Sequence, residues 1–127
     1  MSSKSALAAF ALACAAVLCQ TPAQAQAAPQ VPLIEPAQVH GLMGLGGKLT
    51  IVDVRTPEEY ALGHIDGAIL MPLDNLPNTF STLPKKGKLI VYCRSGHRSA
   101  KAVQFLAEHG YANAVSMNGG YTAWSQH

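Results

Sequence analysis

Residues 28–127 predict one α/β domain with a central, mostly parallel five-stranded sheet and helices on both faces. Two observations carry that prediction. Short apolar runs alternate with capped or amphipathic segments, the chain order that builds parallel sheets. The runs are also apolar throughout, as strands covered on both faces must be, rather than alternately polar.

The elements follow in order. Val31 to Ile34 reads as a first strand, and Glu35-Pro36 opens a helix, because proline suits a first turn whose N–H groups have no helical partner. That helix runs through Val39 and Leu42 and gives out in Gly44, Gly46 and Gly47. KLTIVDV (Lys48 to Val54) is β-branched and apolar, hence a buried strand. Thr56-Pro57-Glu58-Glu59 has the form of a capping box with proline at the first helical position, and Gly63 ends the short helix it starts. GAILMPL (Gly67 to Leu73) is the third strand. Asp74 to Leu83 reads as a loop with a helical turn, and Lys85 to Lys88 as a solvated basic connection. LIVYC (Leu89 to Cys93) is the fourth strand. A helix from Arg98 to His109 is expected to pack Ala100, Val103, Leu106 and Ala107 inward, with Gly110 past its end. Ala114 to Met117 is the last strand. Gly119 to Trp124 is a last helical turn whose Tyr121 and Trp124 are expected to plug the core.

Residues 1–27 read as an export signal cleaved near 25–27. Lys4 precedes a 13-residue apolar run, Ala6 to Leu18, followed by small-x-small sites at Ala23–Ala25 and Ala25–Ala27. A membrane-spanning helix needs about 20 residues, so no stable membrane insertion is expected after cleavage, and the periplasm is the expected location. Cleavage changes the meaning of the cysteines. Cys14 and Cys19 leave with the signal, so Cys93 is the only thiol of the mature chain. It cannot close a disulfide within that chain, which leaves packing or reactivity.

From Gln26 onward, 8 Lys/Arg against 7 Asp/Glu give a net charge of +1, which argues against nucleic acid as a partner. The 5 histidines are scattered, with no second cysteine near them, so no metal site is expected. No cofactor is called for, and a monomer or weak dimer is expected.

The stretch VYCRSGHRS (Val91 to Ser99) places Cys93 at the carboxyl end of a strand, where sheets of this class hold their reactive groups. A cysteine reacts as thiolate, and three features here favour that form. The helix that follows points its free N–H groups back at the loop. Arg94 and Arg98 add charges that do not titrate. Ser95 and Ser99 supply hydroxyls, while Gly96 lets successive N–H groups converge as an anion nest. His97 lies in the same loop, as an exposed imidazole.

Three stretches in order resemble the rhodanese (thiosulfate sulfurtransferase) family. CRSGHRS resembles its active-site loop, IVDVRTPEEYALGHIDGAILMPL (Ile51 to Leu73) its upstream signature, and MNGGYTAW (Met117 to Trp124) its C-terminal one. The resemblance spans Val31 to Trp124 and implies a rhodanese-like fold. It implies two-step sulfur transfer, in which Cys93 takes sulfur from thiosulfate, a small anionic donor, as a persulfide. Cyanide or a thiol then accepts that sulfur. Arg94, Ser95, Gly96, His97 and Arg98 would bind substrate. Two other functions compete. One is a persulfide carrier or sensor with little turnover. The other is a phosphatase or arsenate reductase, whose relatives have a longer loop with arginine at the sixth position after cysteine. Here Arg98 is fifth and Ser99 sixth. Asp53, Arg55, His64 and Ser99 are supporting residues, Arg55 being expected to pair with Glu58 or Glu59.

Overall fold

Five strands run parallel: β1 (Leu33–Ile34), β2 (Leu49–Asp53), β3 (Ile69–Leu70), β4 (Lys88–Tyr92) and β5 (Ala114–Met117). They lie side by side in the order β1-β5-β4-β2-β3. The computed structural model describes residues 30–126, so the expected signal over residues 1–27 and its cleavage near 25–27 lie outside the described residues.

The central strands β2, β4 and β5 are where the apolar runs predict them. β4 is flanked on both sides and buries Leu89, Ile90, Val91 and Tyr92 completely. The edges are shorter than the sequence suggests. β3 keeps two residues of Gly67–Leu73, and Ile69 on it is 45% exposed. An edge strand pairs on one side only; past Leu70 the Met71 and Leu73 N–H groups still donate to the Asp53 and Val54 carbonyls, and the chain then turns into a 3-10 helix at Leu73.

Alternate side chains divide the core into two layers. Val52, Leu89, Val91 and Cys93 face Leu76, Ala102, Val103, Leu106 and Tyr111 on one side. Ile51, Ile90, Tyr92 and Met117 face Val39 and Ile65 on the other. The helices supply these layers: α1 (Pro36–Gly44), α2 (Pro57–Leu62), α3 (Leu76–Thr79, between two short 3-10 turns), α4 (His97–Glu108) and α5 (Gly120–Trp124). Among the described residues, no helix is long and apolar enough to cross a membrane.

Local chemistry explains the helix ends. The Thr56 hydroxyl accepts from the Glu59 N–H at 3.2 Å, and the Glu59 carboxylate accepts from the Thr56 N–H, as the capping box predicts. Glu35 and Gln38 build a second box at α1. The inward face of α4 differs from expectation. It presents Ser99, Ala102, Val103 and Leu106, one stripe at i, i+3, i+4 and i+7 spacing, which leaves Ala100 half-buried and Ala107 exposed at its margins. Trp124 and Tyr121 are half-buried and pack against the second core layer, as expected, and Trp124 also stacks on His40 at 3.7 Å.

Candidate active site

Cys93 follows β4 and is 1% exposed. The chain turns at once, through Arg94 and Ser95, into Gly96, which precedes α4 with φ 114°. That conformation is open to glycine and strained for other residues. It aims the Gly96 N–H at the Cys93 Sγ, which accepts at 3.0 Å. The Ser99 Oγ lies 3.5 Å from the same sulfur and 2.7 Å from the Ser116 Oγ of β5. Burial by itself pushes the Cys93 thiol up. The Ser99 hydroxyl and the N–H groups of Ser99, Gly96 and Ser95 outweigh burial, holding the thiol below its ordinary value. The thiolate is thus favoured mainly by neutral donors, and the arginine charges expected to do this are secondary.

The loop is clamped from behind by α5. The Tyr121 N–H donates to the Cys93 carbonyl at 2.7 Å, and the Thr122 N–H to the Arg94 carbonyl at 3.1 Å. Gly120 makes that approach geometrically feasible, since a Cβ there would lie 2.5 Å from the Cys93 and Arg94 carbonyl oxygens. The Gly-Gly pair therefore fixes the reactive loop through its backbone.

Arg98 is not free to meet a substrate in this structure. Its guanidinium holds Glu59 of α2 in a two-pronged ion pair at 2.7 and 3.0 Å. The hydrogen bond from Arg98 outweighs burial and lowers the Glu59 carboxyl to about 2. Because that group is depressed from its ordinary 4.5, the pair contributes stability above pH 4.5 and loses it as pH falls through about 2. Glu59→Gln keeps a capping oxygen but loses the charge. Wild type is expected to be the more stable at neutral pH in urea unfolding, with the gap closing between pH 4.5 and 2. A gap independent of pH would contradict the assignment.

Arg55 does not take Glu58 or Glu59 either. It folds back on Asp53, two residues earlier, with contacts of 2.7 to 3.1 Å from Nε and Nη2. The reason is burial: Asp53 is 0% exposed and Arg55 4%, so each needs a partner of opposite charge within the protein. Burial would lower Arg55, but the Asp53 hydrogen bond and charge raise it above its ordinary value. Its Nη2 also donates to the Gly63 carbonyl at 2.7 Å, and the guanidinium lies 4.5 Å from the Tyr121 ring centre. Asp53 and Arg55 thus tie the end of β2 to α5 and, through it, to the reactive loop.

The remaining predicted residues separate. His64 is exposed, with its Nδ1 2.8 Å from the Tyr60 carbonyl and its ring stacked on Tyr60, so its contacts belong to the end of α2. Ser95 and His97 are exposed at the loop rim, with Ser95 Oγ 3.4 Å from His97 Nδ1. Arg94 is exposed, and among the described residues its guanidinium has no partner. It borders an open pocket of about 410 Å³ shared with Glu59, Tyr121 and Thr122. Sequence reasoning missed two contributors, Ser116 and the Glu59–Arg98 pair. The lone serine in the apolar strand AVSM was the available signal for the first.

Comparison with known proteins agrees with this geometry. The family model described as Rhodanese-like domain matches residues 35–127. A sulfurtransferase of Allochromatium vinosum is 40% identical over 77 residues, covering 61% of this chain and 72% of that protein. The thiosulfate sulfurtransferase GlpE of Stutzerimonas stutzeri is 34% identical over 91 residues, covering 72% and 82%. Among solved structures, a rhodanese-like domain protein from Staphylococcus aureus superposes with a TM-score of 0.70 at 35% identity, covering 74% of this chain and 91% of that one. A cysteine cradled by loop N–H groups at the carboxyl edge of an all-parallel five-stranded sheet, together with these matches, places the chain in the rhodanese-like domain family.

Proposed function

We propose that this domain is a sulfurtransferase of the thiosulfate type, with Cys93 as nucleophile and sulfur carrier. The observation that carries the reading is the ring of donors around one buried sulfur: Gly96 N–H at 3.0 Å, with the Ser99 hydroxyl beside it. In the first step the Cys93 thiolate attacks the outer sulfur of thiosulfate. The S–S bond of the donor breaks, sulfite leaves with the electron pair, and Cys93 becomes a persulfide. In the second step a nucleophilic acceptor, cyanide or a thiolate, takes the terminal sulfur and returns Cys93 as thiolate. Splitting one exchange into two displacements is covalent catalysis. The loop N–H groups stabilise the terminal anionic sulfur in between.

Loop length supports sulfur over phosphate as the transferred group, since Arg98 stands fifth after Cys93 and is held by Glu59. Arg94 is left as the cation for the oxyanion end of the donor. Arg94→Ala is expected to lower kcat/KM for thiosulfate about tenfold, the loss of one charge-assisted contact. Unchanged kinetics would remove Arg94 from donor binding.

The function is tested by thiocyanate formation from thiosulfate and cyanide. Turnover supports an enzyme, whereas a sulfur adduct on Cys93 without turnover would make the domain a carrier. The same reading places the protein in the periplasm, supported by the basic, apolar and small-residue succession of residues 1–27. Fractionation of cells carrying the full chain checks it.

A further inference from the structure

We infer that Ser116, on β5, is a positioning residue that acts through Ser99 to aim a hydroxyl proton at the ionised sulfur of Cys93. The inference rests on Cys93 being the nucleophile, and it extends the site into a second strand.

Ser116 is 1% exposed and Ser99 0%. The Ser116 Oγ has one partner among the described residues, the Ser99 Oγ at 2.7 Å. The Ser99 Oγ has three neighbours: Ser116 at 2.7 Å, the Gly96 carbonyl at 3.1 Å and the Cys93 Sγ at 3.5 Å. Ser99 carries a single proton, so it can donate to only one of them.

Counting protons gives two arrangements. With Cys93 as a thiol, the S–H donates to Ser99, and the Ser99 O–H is spent on the Gly96 carbonyl. With Cys93 as a thiolate, the sulfur can only accept, and the Ser99 O–H must turn toward it. The Gly96 carbonyl remains satisfied in that event, because the Ala100 N–H also donates to it at 3.1 Å. The Ser99 oxygen then needs a donor of its own, and Ser116 is placed to be that donor. A chain Ser116 O–H to Ser99 O–H to sulfur leaves every polar group satisfied and polarises the last bond. No such chain forms if residue 116 is apolar.

Position 116 otherwise calls for an apolar side chain. It faces the layer that also contains Ala114 and Val91, and a buried hydroxyl without a partner is unfavourable. The charged and titratable groups around the sulfur come from other elements: Arg94 and His97 at the loop rim, Arg98 of α4 with Glu59 of α2, Asp53 and Arg55 at the end of β2, and Tyr121 of α5. None is bonded to Ser116 among the described residues, so its replacement isolates the hydroxyl chain.

The test follows the rate of Cys93 alkylation by iodoacetamide across pH, alongside thermal unfolding. This readout is independent of sulfur transfer, so failure here is distinguishable from failure of the proposed function. Ser116→Ala is expected to raise the alkylation midpoint by about half to one pH unit and slow the reaction about three- to tenfold on the acidic limb. Ser99→Ala is expected to shift it further, and Ser99→Ala with Ser116→Ala no further than Ser99→Ala alone. At constant volume, Ser116→Thr should keep the wild-type midpoint and Ser116→Val should move it. An unchanged midpoint in Ser116→Ala and Ser116→Val would overturn the inference. So would an equal Ser116 effect with Ser99 absent, or a loss of melting temperature with no change in the pH profile.

Discussion

Cys93→Ser should lower sulfur transfer by about a thousandfold or more, because the proposed nucleophile is replaced by a hydroxyl that does not ionise at neutral pH. The protein should still fold. Serine is close to cysteine in size, and its oxygen can accept the Gly96 N–H that the sulfur accepts at 3.0 Å. Residue 93 is buried behind the loop at 1% exposure, so the surface is unchanged. Thiocyanate production and a melting curve together check this. Loss of activity with a near-native melt supports the chemistry, whereas retained activity would exclude Cys93 as the nucleophile.

Gly120→Ala should be the most damaging single methyl in the site. The backbone at Gly120 has φ 58°, and a Cβ would meet the Cys93 and Arg94 carbonyl oxygens at 2.5 Å. Those atoms are main chain and cannot rotate away. Either α5 lifts off the loop or the loop shifts, and both break the Tyr121 N–H bond to the Cys93 carbonyl. Overpacking and left-handed strain together put the cost at about 2–5 kcal/mol. A control lies on α1, where a Cβ at Gly41 meets nothing within 4 Å. Gly41→Ala should be neutral or stabilise by up to about 1 kcal/mol, the difference in helix propensity. Urea unfolding of the two variants checks both expectations. Equal effects would mean that the close approach at Gly120 is not what fixes the loop.

The sequence makes legible whatever depends on short-range pattern. The β-branched runs at Leu49–Asp53 and Lys88–Tyr92 become the central strands, and Thr56 to Glu59 becomes the capping box. The loop Cys93 to Ser99 is readable because glycine, serine and a following helix form a local device. Side-chain partners across the fold are less legible. Glu59 already has a local role at its cap, and nothing in the spacing says that it also holds Arg98, 39 residues later. Asp53 pairs with Arg55 because both are buried, and burial of that strand end depends on α5 packing over it. Ser116 stands in an apolar strand as a tolerated exception until β5 is seen beside β4. The edge strands are shorter than their apolar runs because pairing, rather than composition, decides where a strand stops.

The central claim is that Cys93 carries sulfur as a covalent persulfide. Intact mass of the protein after thiosulfate treatment tests it most directly. The account predicts a gain of about 32 Da, one sulfur atom, that is absent in Cys93→Ser and removed by cyanide. No gain in wild type, or the same gain in Cys93→Ser, would contradict it.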